Sequence, residues 1–323
     1  MSATNQLESE LFVKIERLSR KVWADSQINK TLINQWLDNF VGDACPKEQE
    51  RLQMLFLLSN FLYFGSRQIR ELVRAVFRDL YRYPIVEQIR KRNSDTRDLM
   101  FIQNEFNKEL EATRFLGMGN PSESGCHLLY YFRQMNVLPR ELFIHGHQIF
   151  TNSRTNGKAA LANQSVKRFI FIDDFCGSGQ QAIDYSKLMI EEAKTINSNL
   201  RFGYFALFGC SHGIEKVRKE TAFDDVSSLV EFDETFKCFG STSRFFHNAP
   251  AGIDKKTTEK ICRKYAKQMQ NVNPLGFDDC QLLLSFHHNT PDNTLPVFWW
   301  DEPSFAWSPI FRRFPKLYYS PIL

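Results

Sequence analysis

Leu7, Leu11, Phe12, Ile15, Leu18 and Val22 recur at helical spacing and predict an amphipathic helix near the start of the chain. Residues 50–63 are rich in Leu and Phe, with no glycine from 48 to 63 and few β-branched residues, and read as a second, well-buried helix. Ser66 is placed to cap a third helix, from about Arg67 to Tyr83, with Pro84 as its stop. Residues 1–95 therefore read as a helical module.

The pattern then changes. Asp98 to Ala112 predicts a charged helix, and Arg114 to Gly119 a short strand ending in glycines. Residues 120–125 read as a loop, His127 to Gln134 as the start of a helix, and Leu142 to Ile144 as a short strand. Thr151 to Gln164 is polar and aperiodic, which predicts a loop. Arg168-Phe-Ile-Phe-Ile172 is an unbroken apolar run of the kind that forms a parallel strand buried on both faces. A helix from about Gln180 to Ile196 follows, then strands at 202–208 and 228–232. Strand, helix, strand is a βαβ unit, so residues 96–323 are expected to form an α/β domain with an open, mostly parallel sheet. Residues 253–270 predict a basic helix and 281–286 a further strand, while the tail from His287 is rich in Pro, Trp and Asn and follows no template.

Composition narrows the class. Of 323 residues, 43% are apolar and 24% charged, as in an ordinary soluble globular protein. The 30 phenylalanines call for a large core, an aromatic-rich partner surface, or both. A formal charge of +4 does not by itself imply nucleic-acid binding. Arg67, Arg70, Arg74, Arg78 and Arg82 would line one helix face. Such a stripe is usually just solvated, with a partner contact as the alternative. The 7 cysteines are odd in number and contain no C-x-x-C pair, which argues against a zinc ribbon or a redox pair and for reduced thiols. The polar, acidic first residues are unlike a signal peptide, and no apolar run approaches the roughly 20 residues of a membrane span. The expectation is a cytoplasmic protein without membrane contact.

The candidate chemistry lies at Asp173-Asp174-Phe175-Cys176-Gly177-Ser178-Gly179. A buried strand delivers two carboxylates and then a small-residue turn into a helix. The turn and the helix N-terminus offer backbone N–H groups to a phosphate, and glycine lets the backbone come close. Carboxylates at a strand's carboxyl end suit the vicinal hydroxyls of a ribose or a nearby Mg²⁺.

FIFIDDFCGSG resembles the phosphoribosyl pyrophosphate motif of type I phosphoribosyltransferases. The resemblance implies that Asp173 and Asp174 hold ribose hydroxyls and that Cys176, Gly177, Ser178, Gly179, Gln180 and Gln181 wrap the 5-phosphate. The family usually has Thr or Ser where this chain has Gln181. A second family landmark, the pyrophosphate loop, corresponds to Gly119, Asn120, Pro121, Ser122, Glu123, Ser124 and Gly125. Glu123 stands where a polyanion should bind, and the resemblance makes it a magnesium-positioning group or a general base. A hood between the two motifs corresponds to 151–164, with Arg154 and Lys158 as the cations that close over pyrophosphate. Mg²⁺ is thus expected with the ligand, but no set of protein side chains is assigned to hold it.

The tail HHNTPDNTLPVFWW, with Trp307 and Phe311-Arg-Arg, is similar to phosphoribosyltransferase-like effectors of bacterial conflict systems, some of them linked to retron reverse transcriptases. That likeness implies a toxic, nucleotide- or target-modifying role in anti-phage defence, alongside a reverse transcriptase and its non-coding RNA–DNA. Two alternatives stay open: a non-catalytic nucleotide-sensing or docking module, and a class I S-adenosylmethionine-dependent methyltransferase, whose D-x-F-x-G-x-G loop DDFCGSG also fits. His145 and His147 lack a clear third metal partner, and Cys176 as a catalytic thiol is a minor reading. His287 and His288, with Asn289, Asn293 and Arg312, follow the last strand and are further site candidates. Trp299, Trp300 and Trp307 read as packing.

Overall fold

The computed structural model describes residues 3–23, 25–26, 28–119, 124–152, 159–302 and 306–314. By internal contacts the chain divides into two compact units, Met1–Gln68 with Asp233–Leu323, and Ile69–Phe232. This differs from a division into 1–95 and 96–323, for reasons visible in each unit.

The first unit begins with α1 (Ala3–Lys21), α2 (Lys30–Leu37) and α3 (Lys47–Leu58), followed by β1 (Leu62–Phe64). Asn29 caps α2, its side chain accepting the Leu32 N–H at 3.0 Å. The helix expected over 50–63 stops at Leu58. Ser59 Oγ and Asn60 Nδ2 both donate to the Phe56 carbonyl at 2.9 Å, closing the helix with side chains. Beyond them Leu62-Tyr63-Phe64 is extended because it finds a strand partner far along the chain.

One long helical run comes next, in the second unit from Ile69 onward: α4 (Ser66–Ala75), a π-helical stretch Val76–Arg82, and α5 (Tyr83–Arg92). Pro84 does not end it. The Tyr83 N–H bonds the Arg78 carbonyl, five residues back, and Pro84 falls at the start of α5, where a missing N–H costs nothing. α6 (Leu99–Glu111) is capped by Asp98, which accepts from the Met100 and Phe101 amides. β2 (Thr113–Gly117) and α7 (Ser124–Met135) follow. The strand expected at 142–144 is instead a 3₁₀ turn over Arg140–Leu142, with one isolated bridge from Phe143 to Phe115. The expected loop at 151–164 is flanked by an antiparallel hairpin, β3 (Phe150–Asn152) with β4 (Ala159–Leu161). Then come β5 (Arg168–Cys176), α8 (Gln180–Ile196), β6 (Arg201–Cys210), α9 (Ser211–Glu220) and β7 (Asp225–Phe232).

The main sheet has four parallel strands in the order β2-β5-β6-β7. One face carries Phe169, Phe171, Phe202 and Tyr204 against Ile183 and Ile190 of α8 and Ile214 and Val217 of α9. On the other face Phe115 packs against Phe132 of α7 and against Phe77 and Tyr81 of the π stretch, at ring separations of 5.1, 6.3 and 5.1 Å. Burial on both faces is why these strands read as continuous apolar runs. Tyr81 also donates to Thr113 Oγ1 at 2.8 Å, which ties residues 69–92 to this sheet.

The chain then returns to the first unit through α10 (Lys255–Ala266), shorter than the expected 253–270 and capped by Asp254, and β8 (Leu284–Phe286). β8 does not join the main sheet; it pairs in parallel with β1, Leu62 opposite Leu284. The tail fills this unit's core, where Trp299, Trp300, Trp307 and Phe311 pack with Trp23, Trp36, Phe40 and Phe61. Much of the phenylalanine and tryptophan excess is thereby used inside. Among the described residues no helix is long and apolar enough to cross a membrane.

Candidate functional site

Adjacent strands β2 and β5 run in parallel with Gly117 opposite Ile172, so the chain segments that follow them leave the sheet at the same carboxyl edge. The Met118 N–H donates to the Ile172 carbonyl at 3.0 Å, and Gly119 turns the chain with φ of +86°. Gly125, in the first turn of α7, returns against both strands. A Cβ there would lie 2.5 Å from the Met118 oxygen and 3.3 Å from the Ile172 oxygen. Only glycine permits that approach, which brings the end of the Gly119–Gly125 loop beside the strand that carries the two acids. Asn120, Pro121, Ser122 and Glu123 lie outside the described residues; Ser124 opens α7.

β5 continues through Asp173 and Asp174 to Cys176 before the chain turns at Gly177-Ser178-Gly179 into α8. Gly179 has φ of +76°, and Ser178 Oγ accepts the Gln180 N–H at 3.3 Å. Gly177 and Ser178 are partly exposed, Gln180 and Gln181 exposed. An amide-lined turn thus opens at the positive end of a helix, the arrangement that suits a phosphate. Two features of this turn were not read from the sequence. Gly213 of α9 supports it from behind: a Cβ there would lie 2.0 Å from the Gly177 oxygen, and one at Gly179 would lie 2.7 Å from the Gly213 oxygen. Lys216 of α9 donates to Gln180 Oε1 at 2.8 Å, while Gln180 Nε2 donates to Asp184 at 2.8 Å. Gln180 therefore spends its side chain on helix contacts. The only advance signal for Gly213 was a glycine just inside the helix after the next strand.

The two acids stand side by side near the end of β5. The two carboxyls lie within reach of each other, and the charge of Asp174 bears on Asp173. Asp173 shares the face of Phe169 and Phe171, where its Oδ2 accepts from the Tyr204 hydroxyl at 2.7 Å and its Oδ1 from the Asp174 N–H at 3.0 Å. Both acids are 8% exposed, and Tyr204 is fully buried. Burial, and then the charge of Asp174, push the Asp173 carboxyl well above the usual carboxylate range. Burial, and then Asp173, push the Tyr204 phenol up as well. Asp174 follows it on β5, the strand against which α7 packs after the Gly119–Gly125 loop. The Cys176 side chain is packed in the core with Tyr204, leaving its backbone to the turn. Tyr204 was missed, although a tyrosine inside an otherwise apolar strand signals a buried hydrogen-bond partner.

The remaining candidates separate. Arg154 and Lys158 lie outside the described residues, and the hairpin of β3 and β4 brackets them. His145 and His147 are exposed and stack in parallel, ring centres 5.7 Å apart. The arginine stripe is largely occupied: Arg74 pairs with Glu71 and Arg78 with Asp79, Arg70 lies over Tyr131 and Arg82 over Phe106. His287 and His288 follow β8 and so stand at the edge of the two-stranded sheet, not the main one. Asn289 accepts from the Thr290 and Phe314 amides, Asn293 donates to the Phe277 carbonyl, and the Arg312 carbonyl accepts from Thr290, all tail-fastening contacts.

A parallel sheet, helices on both faces and two glycine-bearing loops leaving adjacent strands at one edge define a phosphoribosyltransferase-like α/β protein. A family model described as PRTase-CE matches residues 33–313, and the chain belongs to that family. Among solved structures, xanthine-guanine-hypoxanthine phosphoribosyltransferase of Helicobacter pylori is similar over 53% of this chain and 89% of its own, at 9% identity and a TM-score of 0.26. The AQ2163 protein of Aquifex aeolicus is similar over 64% and 86%, at 12% identity and a TM-score of 0.27. Orotate phosphoribosyltransferase of Aeropyrum pernix is similar over 41% and 73%, at 14% identity and a TM-score of 0.22. Likeness at this level adds no argument beyond the family match. No curated protein matches the chain.

Proposed function

We propose that this chain binds a ribose 5-phosphate ligand, phosphoribosyl pyrophosphate or a nucleotide, at the carboxyl edge of β2 and β5 and transfers or releases its C1 substituent. The observation that carries this reading is the convergence of the two loops, with Gly125 held against the Met118 and Ile172 backbone beside the Asp173–Gly179 segment. Gly177, Ser178 and Gly179 with the first turn of α8 take the 5-phosphate, and Asp174 takes the ribose hydroxyls. Residues 119–125 take pyrophosphate, with Arg154 and Lys158 closing over it. The bond from C1 to pyrophosphate or to a base breaks with its electron pair on the leaving group, and a nucleotide, a protein side chain or water adds at C1. Positioning and electrostatic stabilisation of the oxocarbenium-like centre supply most of the rate.

A carboxylate at the strand end is the oxygen donor that Mg²⁺ takes, so Asp174, with Glu123 of the loop, fits a ligand-bound magnesium that offsets the phosphate charge. The tail pattern supports a toxic role in an anti-phage system of the retron kind, with a reverse transcriptase and its non-coding RNA–DNA as partners. One observation favours a second reading, a non-catalytic nucleotide-sensing module. Asp173 is committed to Tyr204, and Gln181 stands where a hydroxyl is usual, so the grip is thinner than a full transferase motif. Family membership sets the methyltransferase reading aside.

Metabolite profiling of cells expressing the protein or its Asp174→Asn variant tests the main reading. Depletion or modification of a nucleotide or phosphoribosyl pool with the parent chain alone is expected. Equal toxicity and equal pools with both chains would refute catalysis at this edge and leave the sensing reading.

A further inference from the structure

A cavity lies at the end of the main sheet where β5 and β6 begin, opposite to the edge that carries the loops. Its volume is about 730 Å³, within the range of about 300–1,000 Å³ typical of small-molecule sites. It belongs wholly to the second unit, and it shares no residue with 119–125 or 173–181.

The register of the sheet sets Arg168 beside Arg201 at the cavity's floor. Each is already neutralised, Arg168 by Glu109 at 3.1 Å and Arg201 by Asp224 at 3.0 Å. Asp224 is further held by Lys194 at 3.3 Å and by the Phe202 amide at 2.8 Å. Two other cations line the space, Arg92 at the end of α5 and Lys167 just before β5. Among the described residues neither has an ion-pair partner. Asp225 is the one lining carboxylate outside an ion pair, and it accepts from Ser227 Oγ at 3.0 Å. The unspent charge of the cavity is therefore positive. The side chains of Gln88 and Asn199 offer both donors and acceptors, and half-buried Leu80 and Pro84 form an apolar wall on the helical side.

We propose that this cavity binds a nucleoside monophosphate. Arg92 and Lys167 take the phosphate, the amides read base and sugar edges, and the base lies against Leu80 and Pro84. Each chemical part of such a ligand meets a group suited to it, and a bare anion would leave the amides and the apolar wall unused. The ligand would sit at one end of β5, with the acids of the proposed reaction at the other. The site is thus one of regulation or sensing, not of turnover. It does not depend on the proposed reaction being correct.

Isothermal titration of the full chain with adenosine, guanosine, cytidine and uridine 5′-monophosphates, and with inorganic phosphate, tests it. At least one nucleotide is expected to bind saturably. That affinity should fall about tenfold or more in Arg92→Glu/Lys167→Glu, since two attractive charges become repulsive. It should persist in Asp174→Asn. Both reversals are at exposed positions, and circular dichroism melts confirm that the variant folds. Binding that survives the double reversal, binding lost instead in Asp174→Asn, or inorganic phosphate binding as tightly as the nucleotides would each overturn the proposal, as would no binding at all. Because the Asp174 variant is one arm, failure here is distinguishable from failure of the proposed reaction.

Discussion

Replacing Tyr204 with phenylalanine removes a buried hydroxyl beneath the phosphate turn, one that meets both Asp173 and the Cys176 thiol. The ring stays, so the packing of a fully buried side chain is kept and the loss falls on the hydroxyl. That hydroxyl donates to Asp173 Oδ2 at 2.7 Å. Without it a buried carboxyl oxygen loses its side-chain donor, at a cost of about 1–3 kcal/mol. The Tyr204 bond also holds the Asp173 pKa down, so its loss raises an already elevated value further. The chain is convenient for the assay because its 5 tryptophans, at 23, 36, 299, 300 and 307, all lie in the first unit, whereas Asp173 and Tyr204 lie in the second. Urea unfolding read by tryptophan fluorescence should therefore change little. Hydrogen exchange of the β5 and β6 amides should show protection weakened by the same ~1–3 kcal/mol. Unchanged protection in these two strands would show that the bond contributes nothing and that Asp173 is not anchored as described.

Three further outcomes follow from named contacts. Asp173 has a folded pKa raised above its unfolded value near 3.8, so its contribution is full below that pH and is lost as pH rises through the folded value. Exchange-derived stability of the second unit should thus decline with rising pH by up to about 1.4 kcal/mol per unit across that window in the parent chain, and Asp173→Asn should remove the decline. Gly213→Ala places a methyl 2.0 Å from the Gly177 oxygen, and backbone must move to admit it. Phosphoribosyl pyrophosphate affinity measured by calorimetry should fall about tenfold or more, and an unchanged affinity would show that the turn is not the phosphate site. Glu50 is fully buried and accepts from the Gly42 and Ala44 amides at 2.8 and 2.6 Å and from the Tyr265 hydroxyl at 2.5 Å. Glu50→Ala removes the acceptor from these donors and from the Cys45 amide at 3.3 Å, and should cost about 3 kcal/mol in the tryptophan-detected transition, with the second unit unaffected.

What was legible in the sequence was local. The run from Arg168 to Ile172, the turn at Gly177–Gly179 and the helix from Gln180 to Ile196 fall where period and turn chemistry place them, because strand burial, glycine geometry and helix periodicity act over a few neighbouring residues. The Gly119 turn was legible on the same terms, and α7 was too, though it starts at Ser124 and not at the expected His127.

What the tertiary structure decided was everything requiring two distant segments to meet. Residues 61–64 could extend a helix or form a strand, and pairing with Leu284–Phe286 chose the strand. Pro84 reads as a stop, and the π stretch carries the helix past it while packing Phe77 and Tyr81 on Phe115. The tail has no period of its own because its tryptophans take their places from the N-terminal helices they pack against. The two aspartates look equivalent on paper. Tyr204, thirty-one residues further along the chain, claims one of them. Chain-local physics names the groups that could do chemistry, whereas long-range packing selects which of them faces a ligand.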